Sequence, residues 1–122
     1  MESSLVKRNQ KRIKRAIRVR KHLRGTAEKP RLSVMKSLQH IACQLIDDDQ
    51  GITLASASTM MKKFRSKKLA ANKATAKLIG AEIAEQAKGK QIKEVVFDRG
   101  FNKFHGVLAE LANAAREGGL QF

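Results

Sequence analysis

The chain has 122 residues, room for one domain and little more, and carries a formal net charge of +15. A charge that high repels itself in a compact state and attracts polyanions, which sets the chain apart from an ordinary enzyme of its size. With no Trp, no Tyr and five Phe, a row of stacking aromatics of the RRM or OB-fold kind cannot be the main grip, leaving phosphate contacts and RNA shape.

Charge is divided unevenly. Residues 1–36 hold 13 Lys/Arg against Glu2 and Glu28, a net of +11, while the other 86 residues hold 13 against nine acids, a net of +4. The stretch from Lys7 to Arg24, KRNQKRIKRAIRVRKHLR, places Ile13, Ile17 and Leu23 loosely on a helical stripe, with basic residues on every side. Like charges at such spacings disfavour an isolated helix. The arm is therefore expected to be disordered alone and to order on a phosphate surface. Gly25 and Pro30 punctuate the passage into the body. The resulting division is a basic RNA-binding arm over 1–28 and an α/β RNA-binding body over 29–122.

In the body, Arg31 to Lys36 alternates as a strand, with Leu32 and Val34 on one face. A second strand is predicted over His40 to Asp47, with Ile41, Cys43 and Leu45 facing one way. Asp47-Asp48-Asp49-Gln50-Gly51 reads as a turn, and Ile52 to Thr59 as a third strand. Short connections make these an antiparallel meander. From about Ser66 to Ala87 the period becomes helical, with Leu69, Ala76, Ile79, Ile83 and Ala87 on one face. Lys88-Gly89-Lys90 ends that helix. A fourth strand follows over Ile92 to Phe97, then a turn at Asp98-Arg99-Gly100. A last helix is predicted from about Phe104 to Glu117, with Val107, Leu108, Leu111 and Ala115 at core spacing. Gly118-Gly119 stops it, and Leu120 and Phe122 fold back on the core. The order βββαβα predicts an α+β sandwich, a mixed sheet with two helices on one face. The opposite sheet face would present, depending on register, Arg31, Ser33, His40 and Gln44.

Chemistry-bearing residues are sparse. Cys43 is the only cysteine, so an intramolecular disulfide and a cysteine-rich zinc site are both excluded, and it reads as a small buried hydrophobe. His22, His40 and His105 are far apart and lack partners at metal-ligand spacing. Asp47, Asp48, Asp49, Glu82 and Asp98 raise the question of a metal nuclease, but adjacent aspartates in a turn diverge, whereas two-metal chemistry needs convergence. No catalytic triad, P-loop or dinucleotide glycine pattern is present. No metal or cofactor is implied. No apolar run approaches membrane-spanning length, and the charged N-terminus is unlike a signal peptide, so a cytoplasmic protein with no membrane partner is expected. A second basic cluster, Lys62-Lys63-Phe64-Arg65-Ser66-Lys67-Lys68, sits before the first body helix. Lysines there oppose the helix dipole, a conflict that a bound phosphate resolves. Phe64 serves either as a base-stacking group or as a core anchor.

Several segments, in order, resemble the bacterial ribosomal protein L18 family. They are Lys29-Pro30-Arg31-Leu32-Ser33-Val34, His40-Ile41, Gln44-Leu45-Ile46-Asp47-Asp48, Leu54-Ala55-Ser56-Ala57-Ser58-Thr59, Val95-Val96-Phe97-Asp98-Arg99-Gly100, Phe104-His105-Gly106 and the closing stretch from Ala112 to Phe122. The match spans nearly the whole body, and the arm has the family's basic character. The chain departs from the family's frequent second glycine at Phe101, from its common Tyr at Phe104 and from its Arg at Val107, removing polar groups near the last helix.

The resemblance implies a structural protein of the large ribosomal subunit. Such a protein binds 5S ribosomal RNA and helps attach it to 23S ribosomal RNA in the central protuberance, with ribosomal protein L5 as a neighbour. It is expected to be a monomer when isolated. The residues expected to touch RNA are Arg12, Arg15, Arg18, Arg20, Lys21 and Arg24 in the arm. In the body they are Arg31, Lys36, His40, Thr59, Lys62, Lys63, Arg65, Lys67 and Arg99. A metal nuclease, and a condenser acting through charge alone, are the rivals from other classes.

Overall fold

A computed structural model describes residues 4–20, 24–65, 71–99 and 106–122. The first element, α1, is an α-helix over Ser4–Arg20. This differs from the disordered arm expected from charge repulsion. The segment contains neither Pro nor Gly, and Leu, Lys, Arg and Gln are all good helix formers. Against that, each like-charged pair costs only about 0.2–0.5 kcal/mol. At 3.6 residues per turn, Leu5, Val6, Ile13 and Ile17 collect on one side and the cations on the other.

The sheet has four strands in the order β3-β2-β1-β4, with β1 over Arg31–Lys36, β2 over Ile41–Asp47, β3 over Ile52–Ser58 and β4 over Val96–Asp98. The meander is antiparallel, pairing Leu32 with Leu45 and Val34 with Cys43, so the four side chains share a buried face. Pairing of β2 with β3 shifts register between Leu45 and Ile46, a bulge of the kind that bends a strand. β4 runs parallel to β1, matching Arg31 with Val96 and Ser33 with Asp98, and makes the sheet mixed. The fourth strand is shorter than the predicted one because Lys93 and Val95 pair instead with the chain's end. Gln121 N–H donates to the Lys93 carbonyl at 2.9 Å, and its own carbonyl accepts from Val95 N–H at 3.1 Å.

The basic cluster forms a single turn, α2 (Lys62–Arg65), and the main helix, α3, begins only at Lys73 and runs to Gly89. Its start is fixed by Asn72, whose side chain accepts the Thr75 N–H at 3.0 Å, an N-cap that satisfies an otherwise orphan donor. Ala76, Ile79, Ile83 and Ala87 are buried as the helical period predicts, each Ile contributing about 1.5–3 kcal/mol of burial. Leu69 lies outside the described residues. The last helix, α4, spans Val107–Glu117 and buries Leu108, Leu111 and Ala115 against α3; Phe104 also lies outside the described residues. Both long body helices cover the Leu32–Val34 face of the sheet. Leu120 is buried, and Phe122 stacks on Phe97 with ring centres 5.5 Å apart, so the chain's end folds back as expected. The architecture is α+β, a mixed sheet with α3 and α4 on one face and a basic segment ahead of it.

Candidate nucleic-acid interface

Two regions gather the cations. On α1, Lys7, Arg8, Lys11, Arg12, Lys14, Arg15 and Arg18 are all exposed, and the helix has no acid anywhere along it. Among them are three of the expected RNA contacts, Arg12, Arg15 and Arg18. Arg20 is placed in α1 by its backbone alone, and Lys21 lies outside the described residues. The four lysine and arginine neighbours Lys7, Arg8, Lys11 and Lys14 were not singled out from the sequence. Helical periodicity puts them on the same arc as Arg15 and Arg18, and it becomes a usable signal only once the segment is taken as helical.

The second region is the end of the sheet where β1 turns into β2 and β3 leaves for α2. Lys36 closes β1, His40 stands just before β2, Thr59 follows β3 and Lys62 opens α2. These four, scattered over 27 positions of sequence, come together because β2 lies between β1 and β3. His40 Nδ1 and the Thr59 hydroxyl share a hydrogen bond of 3.0 Å. The same hydroxyl accepts the Ile41 N–H at 3.3 Å, and Thr59 N–H donates to the Ile41 carbonyl at 3.0 Å. Thr59 itself is buried, and its hydroxyl holds one edge of the imidazole through Nδ1. Lys36, His40 and Lys62 are exposed. Lys63 and Arg65 are placed in α2 by their backbones alone, and Lys67 lies outside the described residues. Phe64 is buried in the core, which settles its reading as an anchor.

Arg31 does not belong to this surface. Its guanidinium grips Asp48 through two parallel bonds, Nε to Oδ2 and Nη2 to Oδ1, both 3.0 Å, and reaches Asp98 Oδ2 through Nη1 at 2.7 Å. The expectation that it touches RNA is corrected on that ground: the side chain is buried among carboxylates. Those bonds hold the guanidinium above its usual value and the Asp48 carboxyl below the usual range. Arg24 is exposed and pairs with Asp49 at 2.7 Å. Gly25 N–H donates to Asp48 Oδ2 at 2.7 Å, and Asp48 N–H returns a bond to the Gly25 carbonyl at 3.0 Å. A Cβ at Gly25 would collide with the backbone of Arg31 and Ile46, so only glycine permits this approach. The arm is thereby tied to the body at the far end of β2 from His40. Arg99 is half-buried just beyond β4.

Of the carboxylates that raised a metal nuclease, the three in the turn take different partners, and Asp48 and Asp98 meet across the Arg31 guanidinium. Asp47 accepts the Asp49 and Gln50 amides within its own turn, Asp48 holds Arg31, and Asp49 faces Arg24. Among the described residues no three His, Cys, Asp or Glu form a group able to hold a metal ion, and no helix is long and apolar enough to cross a membrane.

A cationic helix attached to a small mixed-sheet domain, with its four aspartates engaged by their own turn and by arginines, defines a class: a basic, nucleic-acid-binding structural protein. Comparison with known proteins narrows it. The model of the family described as ribosomal L18 of archaea, bacteria, mitochondria and chloroplasts matches residues 6–122. The large ribosomal subunit protein uL18 of Protochlamydia amoebophila is 62% identical over 112 residues, covering 91% of each chain. Those of Chlamydia felis and of Chlamydia trachomatis serovar D are 56% and 54% identical, each over the full length of both chains. The chain belongs to the ribosomal L18 family. It is a structural protein of the large ribosomal subunit and not an enzyme.

Proposed function

We propose that this protein binds 5S ribosomal RNA and helps attach it to 23S ribosomal RNA in the central protuberance, in the cytoplasm, with ribosomal protein L5 as its neighbour on the same RNA. The observation that carries the reading is α1, which has eight Lys/Arg and no acid in 17 residues. Such a helix is suited to a groove lined by phosphates, where each neutralised charge releases a counterion. The roles divide between the arm over 1–28 and the body over 29–122. Arg12, Arg15, Arg18, Arg20, Lys21 and Arg24 supply affinity from the arm. Lys36, His40, Lys62, Lys63, Arg65, Lys67 and Arg99 form the body's contribution, with Thr59 orienting His40. The free protein is a monomer.

The test is binding of the full-length protein to refolded 5S RNA, with tRNA as competitor, over a salt series. A preference for 5S RNA that survives rising salt supports recognition by shape. Equal binding to both RNAs, vanishing together as salt rises, reduces the protein to a charge-driven binder. Removing residues 1–24 should weaken binding and flatten its salt dependence while the preference for 5S RNA persists.

A further inference from the structure

The sheet end that carries Lys36, His40 and Lys62 also displays three apolar side chains for which charge gives no reason. Leu38, at the tip of the β1–β2 turn, is 98% exposed, Met60 is 61% exposed, and Met35 is 49% exposed. Met35 pairs with Ala42 across the strands and lies on the sheet face that the helices leave open.

The turn that presents Leu38 is held in shape. Ser37 N–H donates to the His40 carbonyl at 2.9 Å, and the Ser37 hydroxyl accepts the amides of Gln39 at 3.4 Å and His40 at 3.1 Å. The loop carrying Met60 is held likewise: its N–H donates to the Ser58 hydroxyl at 3.1 Å, and Met61 N–H to the Ser58 carbonyl at 3.1 Å. The His40–Thr59 bond joins the two loops. An apolar group fixed in water by a preformed turn gains nothing in folding, but it reduces the ordering cost of binding.

Charge decides what kind of partner fits. The sequence has no acid from Arg31 to Ile46, and none from Gln50 to Ala81. The three aspartates of the β2–β3 turn stand at the opposite end of β2. An apolar point flanked by cations, with the nearest carboxylates of its strands at the far end of β2, complements a flat apolar surface borne on a polyanion. The face of an unpaired nucleobase is such a surface, and Leu and Met side chains are known to insert against base steps.

We propose that Leu38, backed by Met35 and Met60, packs on the face of an unpaired ribosomal RNA base whose flanking phosphates are held by Lys36 and Lys62. The inference rests on the RNA-binding reading above and adds a non-electrostatic contact to it. In a chain without Trp or Tyr, this contact takes the place of an aromatic platform.

The absence of Trp supplies the experiment. Full-length Leu38→Trp carries a single indole at the turn, and full-length Ile52→Trp carries one at the start of β3, the opposite end of the sheet. Each is titrated with refolded 5S RNA while the anisotropy of end-labelled RNA reports complex formation independently. Leu38→Trp emission should be quenched in step with anisotropy, and Ile52→Trp emission should change little. In parallel, Leu38→Ala should weaken binding about tenfold, with the slope of log affinity against log salt unchanged. A complex that forms fully while Leu38→Trp emission stays constant, or a Leu38→Ala protein with wild-type affinity, overturns the proposal and leaves the RNA-binding reading intact. A wild-type protein that gives no anisotropy change with 5S RNA overturns that reading, and this inference with it.

Discussion

Arg31 and Asp98, 67 positions apart in the chain, meet at 2.7 Å in an ion pair whose side chains are only 9% and 5% exposed. The pair joins the first residue of β1 to the last residue of β4, the one parallel pairing of the sheet. Asp48, from the β2 side, completes a carboxylate–arginine–carboxylate arrangement. Breaking such a pair from one side strands a buried charge, which costs far more than the pair contributes net. Arg31→Met should therefore destabilise the protein by about 3–5 kcal/mol in denaturant unfolding at neutral pH. Adding Asp98→Asn to it should recover part of the loss. A single variant as stable as wild type would show that water, and not Arg31, satisfies these carboxylates.

Acid should weaken the same cluster in a defined direction. The Asp48 carboxyl is held below its ordinary range first by the hydrogen bond from Arg31, with the Gly25 amide and the charges of Arg31 and Arg24 adding to it against partial desolvation. A carboxylate with a lowered folded-state pKa stabilises fully above its unfolded value, about 3.9, and loses that contribution as pH falls through the folded value. The stability difference between wild type and Asp48→Asn should hold constant from neutrality to about pH 5 and shrink below about pH 4. A difference that stays flat to the lowest pH reached before unfolding would assign Asp48 a merely steric role.

Much of this architecture was legible because it rests on period. Alternation in Leu32, Val34, Ile41, Cys43 and Leu45 predicted the buried sheet face, and a helical spacing of Ile79, Ile83 and Ala87 predicted the face of α3. Boundaries set by single side chains were less legible: α3 begins at Lys73, behind its cap Asn72, and not at about Ser66. Pairings between distant segments were not legible at all. Arg31 reads in sequence as one more cation of a basic stretch, and only the parallel alignment of β4 brings Asp98 to it. Of the candidate site, the density of cations was legible in the charge pattern, but which of them share one arc of α1 was not. Leu38 and Met60, which the proposal adds to it, carry no periodic signal, as apolar residues in turns do not.

The arm's contribution should be visible as a slope. Arg12, Arg15 and Arg18 are exposed on α1, and each phosphate contact removed should reduce the log–log salt slope by about 0.7–0.9. Changing the three together to Gln should lower the slope by roughly two to three while the preference for 5S RNA over tRNA is kept. An unchanged slope would move the phosphate contacts off this face of the helix.

Cys43 offers a reporter of the core that requires no engineering. It is fully buried on β2, and desolvation pushes its thiol up to about 12, against a small opposing effect of the Ala57 backbone. The native state should therefore resist a thiol reagent at neutral pH, with labelling proceeding only through unfolding. The raised folded-state pKa also has a sign. An acid whose pKa rises on folding contributes its full share below the unfolded value, about 8.5, and loses stability as pH climbs from there toward the folded value. Between about pH 8.5 and 10.5 the wild type should lose up to about 1.4 kcal/mol per pH unit through this one group. Cys43→Ala, destabilised by its cavity equally at every pH, should lack that alkaline slope. Parallel stability curves for the two proteins across this range would mean that the thiolate finds solvent in the folded state, and that the centre of the sheet opens more readily than its packing implies.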